Sequence, residues 1–401
     1  MPFQGRGDNV RPHLLPVAFV CLLSRWFAPP VQATEPFQFP EGKVGKSELK
    51  YIDGVPVLAV QGSPAEIGEA VGALAVKPAQ RMARYPEDLL RHYYLGFLWR
   101  PFASAGEKMV RGFPEDYRQE LEAMADASGV ERERVVVGNT LFDLKKLVAC
   151  SALLVEADRS ETDGPLLGRN LDYPSLDYAQ EYSLVTVYRP TGARHTFASI
   201  GFPGLVGCLS GMNDAGLSVA VLEVFQVRLG KKRFDSMGTP YALCYRRILE
   251  ECATIEEAKQ LLESMKRTTT TNLAVADRNG IAVFEITPNH VVVRRSQNGA
   301  CVCTNHFCSD ELKPFVRLNY YQTRDRYRIL DRVEASCSKL SLVDLQSGLH
   351  AASKKDETMQ TMIFEPMTLR LHLAIGTCPS SAGEMKALEL EPIFRSLRKE
   401  Q

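Results

Sequence analysis

CSALLVEADRSETDGPLLGRNLDYP, residues 150–174, is the stretch on which the fold turns. Two short apolar runs, 151–157 and 166–170, flank Thr162-Asp163-Gly164, and an Asp-Gly pair between such runs predicts an antiparallel hairpin. Paired residues in a hairpin have numbers that sum to a constant, here about 321 to 323, which sets Cys150 opposite residues 171–173. Arg169 and Asp172 then lie within a few ångströms of the cysteine for topological reasons alone. A guanidinium beside a thiol favours the thiolate, so Cys150 is expected below its reference pKa of about 8.5. An Asp nearby can position a base or accept a proton. On these residues alone a second account stands beside the first: a strand-edge cysteine next to a structural Arg–Asp pair. None of the seven histidines sits in a familiar cysteine-protease context.

Downstream the strand-like texture continues. Runs at 182–188, 196–200, 217–224, 273–276, 281–286, 290–294 and 301–304 are short, apolar or β-branched, and bounded by Gly, Pro, Asn or Asp. Two helices interrupt them, over 240–252 and 255–265, the second opened by a capping box of Thr254 and Glu257. Upstream, a strand pair around 51–60 leads into Gly62-Ser63-Pro64-Ala65-Glu66, where Ser63 can cap a helix and Pro64 can take its first position. That helix is expected to run towards Trp99 with breaks near Pro78 and Pro86. Another starts at Pro114, carries Tyr117, Leu121 and Met124 on one side, and stops at Ser128-Gly129. A mainly helical first part followed by strands, a helix pair and further hairpins is the pattern of an α+β fold with antiparallel sheets covered by helices.

The 401 residues carry 48 Lys+Arg against 48 Asp+Glu, and this balance leaves no electrostatic footprint for nucleic acid. Lys231-Lys232-Arg233 is too short for a nucleic-acid or membrane patch and reads as a solvated loop. At the N-terminus Arg6 and Arg11 precede an apolar run over 14–23, and Val31 and Ala33 stand at the two critical cleavage positions. Residues 1–33 therefore read as a signal peptide, and the protein as exported, to the periplasm or beyond. The run is shorter than the roughly 20 apolar residues needed to span a bilayer, and no later stretch reaches that length. Loss of the leader removes Cys21 and leaves nine cysteines, an odd number, so at least one thiol is expected to stay free.

Taken in order, the motifs resemble the acyl-coenzyme A:6-aminopenicillanic acid acyltransferase family, relatives of isopenicillin-N acyltransferase and, more distantly, of choloylglycine hydrolase, penicillin V acylase and acid ceramidase. The resemblance covers most of 51–392. It rests on Gly62-Ser63-Pro64, on Cys150 with Gly168-Arg169-Asn170-Leu171-Asp172-Tyr173, and on Pro203-Gly204-Leu205-Val206-Gly207 running into Ser210-Gly211-Met212-Asn213-Asp214-Ala215-Gly216-Leu217. Further on come the Thr271–Asp277 run TNLAVAD and Cys303-Thr304-Asn305-His306-Phe307. The resemblance implies an N-terminal-nucleophile cysteine hydrolase with a four-layer αββα sandwich that cuts itself between Ala149 and Cys150. Residues 34–149 would remain as a separate, associated chain and 150–401 would form the catalytic domain. The freed α-amino group, with a pKa of about 7.7 to 8.0, can then serve as base for its own thiol.

By the same resemblance Arg169 tunes the thiol, Asp172 holds the α-amino group, and Asn305 donates to the oxyanion, an interaction worth about 3 to 4 kcal/mol. Asn272 and Tyr173 are expected at the substrate. Glu223 stands where one branch of relatives has a second oxyanion Asn, and an ionised carboxylate cannot donate that bond. Arg324, Arg326 and Arg370 are all plausible as the late arginine of the site. The implied reaction is hydrolysis or transfer of the acyl group of a linear amide or N-acyl compound through a Cys150 acyl-enzyme, with no cofactor. An uncleaved binding protein that keeps the fold is the alternative. Cys301, Cys303, His306 and Cys308 lack the usual C-x2–4-C knuckle spacing of a structural zinc site. In Gly207-Cys208-Leu209-Ser210-Gly211 the Ser lies one place late for a serine-hydrolase elbow.

Overall fold

The computed structural model describes residues 36–144 and 148–399; the leader-like residues 1–33 lie outside the described residues. In chain order, β1 (Gly42–Val44), β2 (Ser47–Ile52) and β3 (Val55–Gly62) come first. Six helices follow: α1 (Pro64–Val71), α2 (Gln80–Ala83), α3 (Tyr85–His92), α4 (Trp99–Val110), α5 (Glu115–Ser128) and α6 (Arg132–Leu144). Next are β4 (Ala149–Val155), β5 (Leu166–Asp172), β6 (Leu184–Pro190), β7 (Phe197–Gly201), β8 (Ser210–Asn213) and β9 (Ser218–Glu223). The helices α7 (Tyr241–Glu251) and α8 (Ile255–Ser264) lead to β10 (Thr271–Asp277), β11 (Gly280–Ile286), β12 (Val291–Arg295) and β13 (Ala300–Cys303). The chain closes with α9 (Thr323–Ser336), α10 (Leu342–Ala351), β14 (Thr358–Glu365), β15 (Arg370–Ala374), β16 (Lys386–Glu389) and α11 (Leu390–Lys399).

The strands build two sheets. One has ten strands in the order β1-β2-β3-β6-β7-β8-β9-β10-β11-β12, the other six in the order β13-β4-β5-β14-β15-β16. The two meet face to face where β4 packs on β9, β5 on β10 and β13 on β11. Helices α1, α7, α8 and α11 pack on the larger sheet, and α9 and α10 on the smaller, which gives α+β architecture in four αββα layers. Every residue of β4 and β5 is buried, as strands covered on both faces must be. On the helix side of the smaller sheet, Leu153, Val155, Leu166 and Ile363 pack with Leu330, Leu345 and Leu349. The hairpin register pairs Cys150 with Leu171 and Ala149 with Asp172.

The first part of the chain is less separate than its helical texture suggests. Strand β3 pairs in parallel with β6, so residues 42–62 form one end of the larger sheet. Helix α1 begins with the expected capping box at Ser63 and Glu66. It lies so close to α5 that a Cβ on Gly68 would run into the Glu120 carbonyl oxygen. Pro86 starts a helix instead of breaking one, because it occupies the first turn of α3 where a missing N–H costs nothing. Trp99 likewise opens α4 instead of closing its predecessor.

Candidate functional site

Side chains alternate along a strand, so register decides what faces what. Cys150 and Arg169 share the face turned towards the larger sheet. Arg169 Nη2 lies 3.1 Å from Cys150 Sγ and donates to Val221 O at 3.0 Å, while Nη1 bonds Ser210 Oγ. Ser210, of the near-miss elbow motif, is thus an anchor for the guanidinium. Asp172, opposite Ala149, projects to the other face, where Thr358 Oγ1 donates to it at 2.6 Å and Arg326 Nη1 lies 3.3 Å away. The three groups that the hairpin brings together are split by the sheet plane.

Burial changes the electrostatics expected from the hairpin. Cys150 has no exposure, and in the uncut chain desolvation pushes its thiol up more strongly than Arg169 draws it down. The lowered thiol pKa expected from sequence is therefore absent in this form. Burial also pushes the Asp172 carboxyl up, with the Arg326 charge opposing.

Asn305 provides the junction. Its Oδ1 accepts the Cys150 N–H at 2.8 Å, so in the uncut chain this backbone nitrogen is held by Asn305 and not by Asp172. Its Nδ2 donates to Val148 O at 3.2 Å and Glu223 O at 2.9 Å. Arg326 donates to Asn305 Oδ1 and to Cys150 O, both at 2.7 Å, which singles it out from the three late arginines. Arg370 instead bonds Glu389 on the edge strand β16, and Arg324 opens onto a different pocket. Glu223 Oε2 accepts the Val148 N–H at 3.0 Å and Oε1 accepts the Tyr241 hydroxyl at 3.0 Å. This carboxylate therefore acts as an acceptor for the chain upstream of Ala149, which is the role its charge permits. Asn272 is fully buried, and its Nδ2 braces the Asn305 loop through Thr304 O at 2.9 Å and His306 O at 3.0 Å.

Residues 159–377, more than half the chain, match the family model described as acyl-coenzyme A:6-aminopenicillanic acid acyl-transferase. The chain belongs to this acyl-transferase family. The matched span holds Arg169, Asp172, Asn305 and Arg326. Acid ceramidase of Mus musculus is 23% identical over 177 residues, 39% of this chain and 43% of that protein, so the chain spans less than half of this curated relative. Among solved structures, a mutant of conjugated bile acid hydrolase from Clostridium perfringens aligns with 13% identity and a TM-score of 0.40, covering 61% of this chain and 93% of that one. An N-acylethanolamine-hydrolyzing acid amidase ortholog from Caenorhabditis elegans aligns with 14% identity and a TM-score of 0.42, over 54% and 93%.

In this member of the acyl-transferase family Tyr173 leads from the strand end into an apolar cavity. Tyr85, Leu141 and Phe142 from the N-terminal helices face Tyr173, Phe202 and Leu205 across it. The Tyr173 ring lies 5.5 Å from that of Tyr85 and 5.6 Å from that of Phe142. The cysteine cluster at 301–308 is occupied otherwise: Arg294 Nη1 sits 3.4 Å from Cys301 Sγ, a cation where a metal would need anionic sulfur. Among the described residues no group of three or more His, Cys, Asp or Glu is placed to hold a metal ion, and the nine cysteines from Cys150 to Cys378 are free thiols. No helix of the described residues is long and apolar enough to cross a membrane.

Proposed function

We propose that this chain is a self-processed N-terminal-nucleophile cysteine amidohydrolase or acyltransferase acting on a linear amide or N-acyl compound. The observation that carries the reading is the convergence of Asn305 and Arg326 on the backbone of Cys150, with Arg169 at its sulfur. In the first step Cys150 Sγ attacks the Ala149 carbonyl carbon, the C–N bond breaks as the C–S bond forms, and the nitrogen takes up a proton. Water then hydrolyses the thioester, leaving an Ala149 carboxylate, a free thiol and a new α-amino group. Departure of the upstream residues removes Val148 O from Asn305 Nδ2, which becomes a free donor for an oxyanion. In turnover the α-amino group takes the thiol proton, the thiolate attacks the substrate carbonyl, and the protonated amine returns the proton to the leaving nitrogen. Water or another amine then takes the acyl group. The apolar cavity behind Tyr173 is suited to an apolar acyl chain, with the N-terminal helical segment supplying most of its wall.

Export through the leader-like residues 1–33 is part of the same reading. Mass spectrometry and N-terminal sequencing of wild type beside Cys150→Ala test the cut: a fragment beginning at Cys150 in the wild type alone supports it, and an uncut wild-type chain overturns it. An uncleaved binding protein is the second reading, favoured by the complete burial and raised pKa of the Cys150 thiol in the intact chain.

A further inference from the structure

Of the twelve large hydrophobic side chains exposed among the described residues, seven lie on two loops, 225–239 after β9 and 309–322 leading into α9. The loops touch. Arg228 N–H donates to Leu312 O at 2.9 Å, the Arg228 guanidinium lies 4.8 Å from the Phe315 ring centroid, and the Phe225 ring packs 4.9 Å from Tyr321. Leu229, Phe315 and Val316 are 85%, 72% and 64% exposed. Contiguous apolar exposure of this kind marks an interaction site. The same two loops hold six Lys and Arg against three Asp and Glu, with Arg324 following in the first turn of α9, in a chain whose totals balance at 48 and 48. Lys231-Lys232-Arg233 is too short to attract a charged surface alone, but the fold sets a second basic group beside it.

That second group lines a pocket with His306, Lys313, Arg317, Arg324 and Arg328 on its wall. Lys313 pairs with Asp310, and Arg328 with Asp325 at 3.2 Å. Among the described residues no carboxylate pairs with Arg317 or Arg324, and Arg324 Nε is enclosed without an acceptor. Burial and the surrounding guanidinium charges push the His306 imidazole down to about 3, so it stays neutral in a positive pocket.

We propose that these two loops dock the protein on a bilayer containing anionic phospholipid, with the Arg317–Arg324 pocket taking a headgroup phosphate and Leu229, Phe315 and Val316 entering the acyl-chain boundary. Guanidinium forks match phosphate oxygens, and apolar tips beside basic side chains give the two signals that stable peripheral binding requires. A bilayer deforms around such tips, whereas a rigid protein partner needs a broad matching face of about 800 Å². The loops leave Glu223 at one end and enter the helix of Arg326 at the other. Docking therefore places the candidate site at the lipid surface. The proposal goes beyond the proposed function and stands whether or not the chain cuts itself.

The test is co-sedimentation of full-length wild type and Cys150→Ala with vesicles of phosphatidylcholine alone or mixed with phosphatidylserine. Both proteins are expected to sediment with the anionic vesicles only and to be released by salt. Phe315→Ser and Arg317→Glu, both at exposed positions, should each lower the bound fraction at an unchanged melting temperature, Arg317→Glu by about fivefold or more. Equal binding to neutral vesicles, no binding, or undiminished binding by both variants overturns the proposal. So does displacement by inorganic phosphate at matched ionic strength with no effect of Phe315→Ser, which would leave only a phosphate pocket. A concentration-dependent dimer lost in Phe315→Ser, without vesicle binding, would assign the patch to a second copy of the chain.

Discussion

The side-chain amide of Asn305 grips the backbone on both sides of Ala149, taking the Cys150 N–H on its oxygen at 2.8 Å and giving its own N–H to Val148 O at 3.2 Å. One residue thus fixes the peptide that the proposed reaction cuts. Asn305→Ala should slow appearance of the Cys150 N-terminus by about 10² to 10³, the cost typical of losing one oxyanion donor. Asn305→Asp, which can accept but not donate when ionised, should be comparably slow. A gel time course of freshly refolded chain reads both rates, and cutting at the wild-type rate in either variant would remove Asn305 from the mechanism.

Arg326 and Asp172 form a buried pair at 3.3 Å, so Arg326→Leu strands a carboxylate away from water. The expected destabilisation is about 3 to 5 kcal/mol at neutral pH, read by urea unfolding. Burial already holds the Asp172 carboxyl above its ordinary range, and losing the guanidinium moves it further up. A group whose folded pKa is raised takes up its proton more readily in the native state, so falling pH favours folding through this group. The Arg326→Leu deficit should therefore shrink towards about pH 4, near the ordinary carboxylate range.

His306 works in the opposite sense. Its folded pKa is depressed to about 3 from 6.5, so the native imidazole stays neutral where the unfolded one takes a proton. Stability linked to this group is complete above the unfolded pKa and is lost as pH falls from about 6.5 towards 3. His306→Gln should flatten that part of the stability curve. An equally steep curve in the variant would assign the acid sensitivity elsewhere.

Gly138 lines the apolar cavity on α6, and a Cβ there meets nothing within 4 Å. Gly138→Leu should fold at least as well, since leaving glycine out of a helix interior gains up to about 1 kcal/mol. Its side chain would fill the space offered to an acyl chain. For the proposed reaction, kcat/KM should fall for long acyl groups and hold for short ones, measured over a chain-length series of N-acyl amines.

Helix α5 is tied to α7 by Glu120, which meets the buried Arg246 at 2.7 Å, while Glu250 holds the same guanidinium at 2.8 Å. Arg246 also lies over the rings of Tyr117 and Tyr188, at 4.6 and 4.7 Å. Glu120→Ala breaks a buried network and should cost about 3 to 5 kcal/mol. In cut protein the two pieces should separate at lower denaturant than in the wild type, followed by gel filtration.

Much of this architecture is legible in the sequence. The register that pairs Cys150 with Leu171 followed from the hairpin turn, because strand pairing is arithmetic once the turn is placed. The capping box at Ser63 and the left-handed Gly129 that ends α5 are local signals visible in the sequence, whereas at Thr254 only half the expected box forms, because the Glu257 carboxylate accepts the Ala253 N–H instead of the Thr254 N–H. The short β8 and the doubly buried β14 escape a sequence reading, since neither shows alternation to set it apart. Arg326 could not be told from Arg324 because helix phase, two residues apart, turns one inward to Cys150 O and the other out to a basic pocket. Ser210 reaches Arg169 and Glu223 reaches the Val148 N–H from the other sheet, and contacts of that sequence separation leave no local pattern.

The parallel pairing of β3 with β6 gives the proposed cut an unusual consequence. Breaking the Ala149–Cys150 bond would release a covalent tether without releasing a strand, since three strands upstream of the cut already serve as the margin of the ten-stranded sheet. Each molecule would thus acquire its second subunit at fixed one-to-one stoichiometry, assembled at the high effective concentration of a single chain. Assembly would precede maturation, and a fragment supplied separately would have to insert a sheet edge that the intact polypeptide forms as it folds.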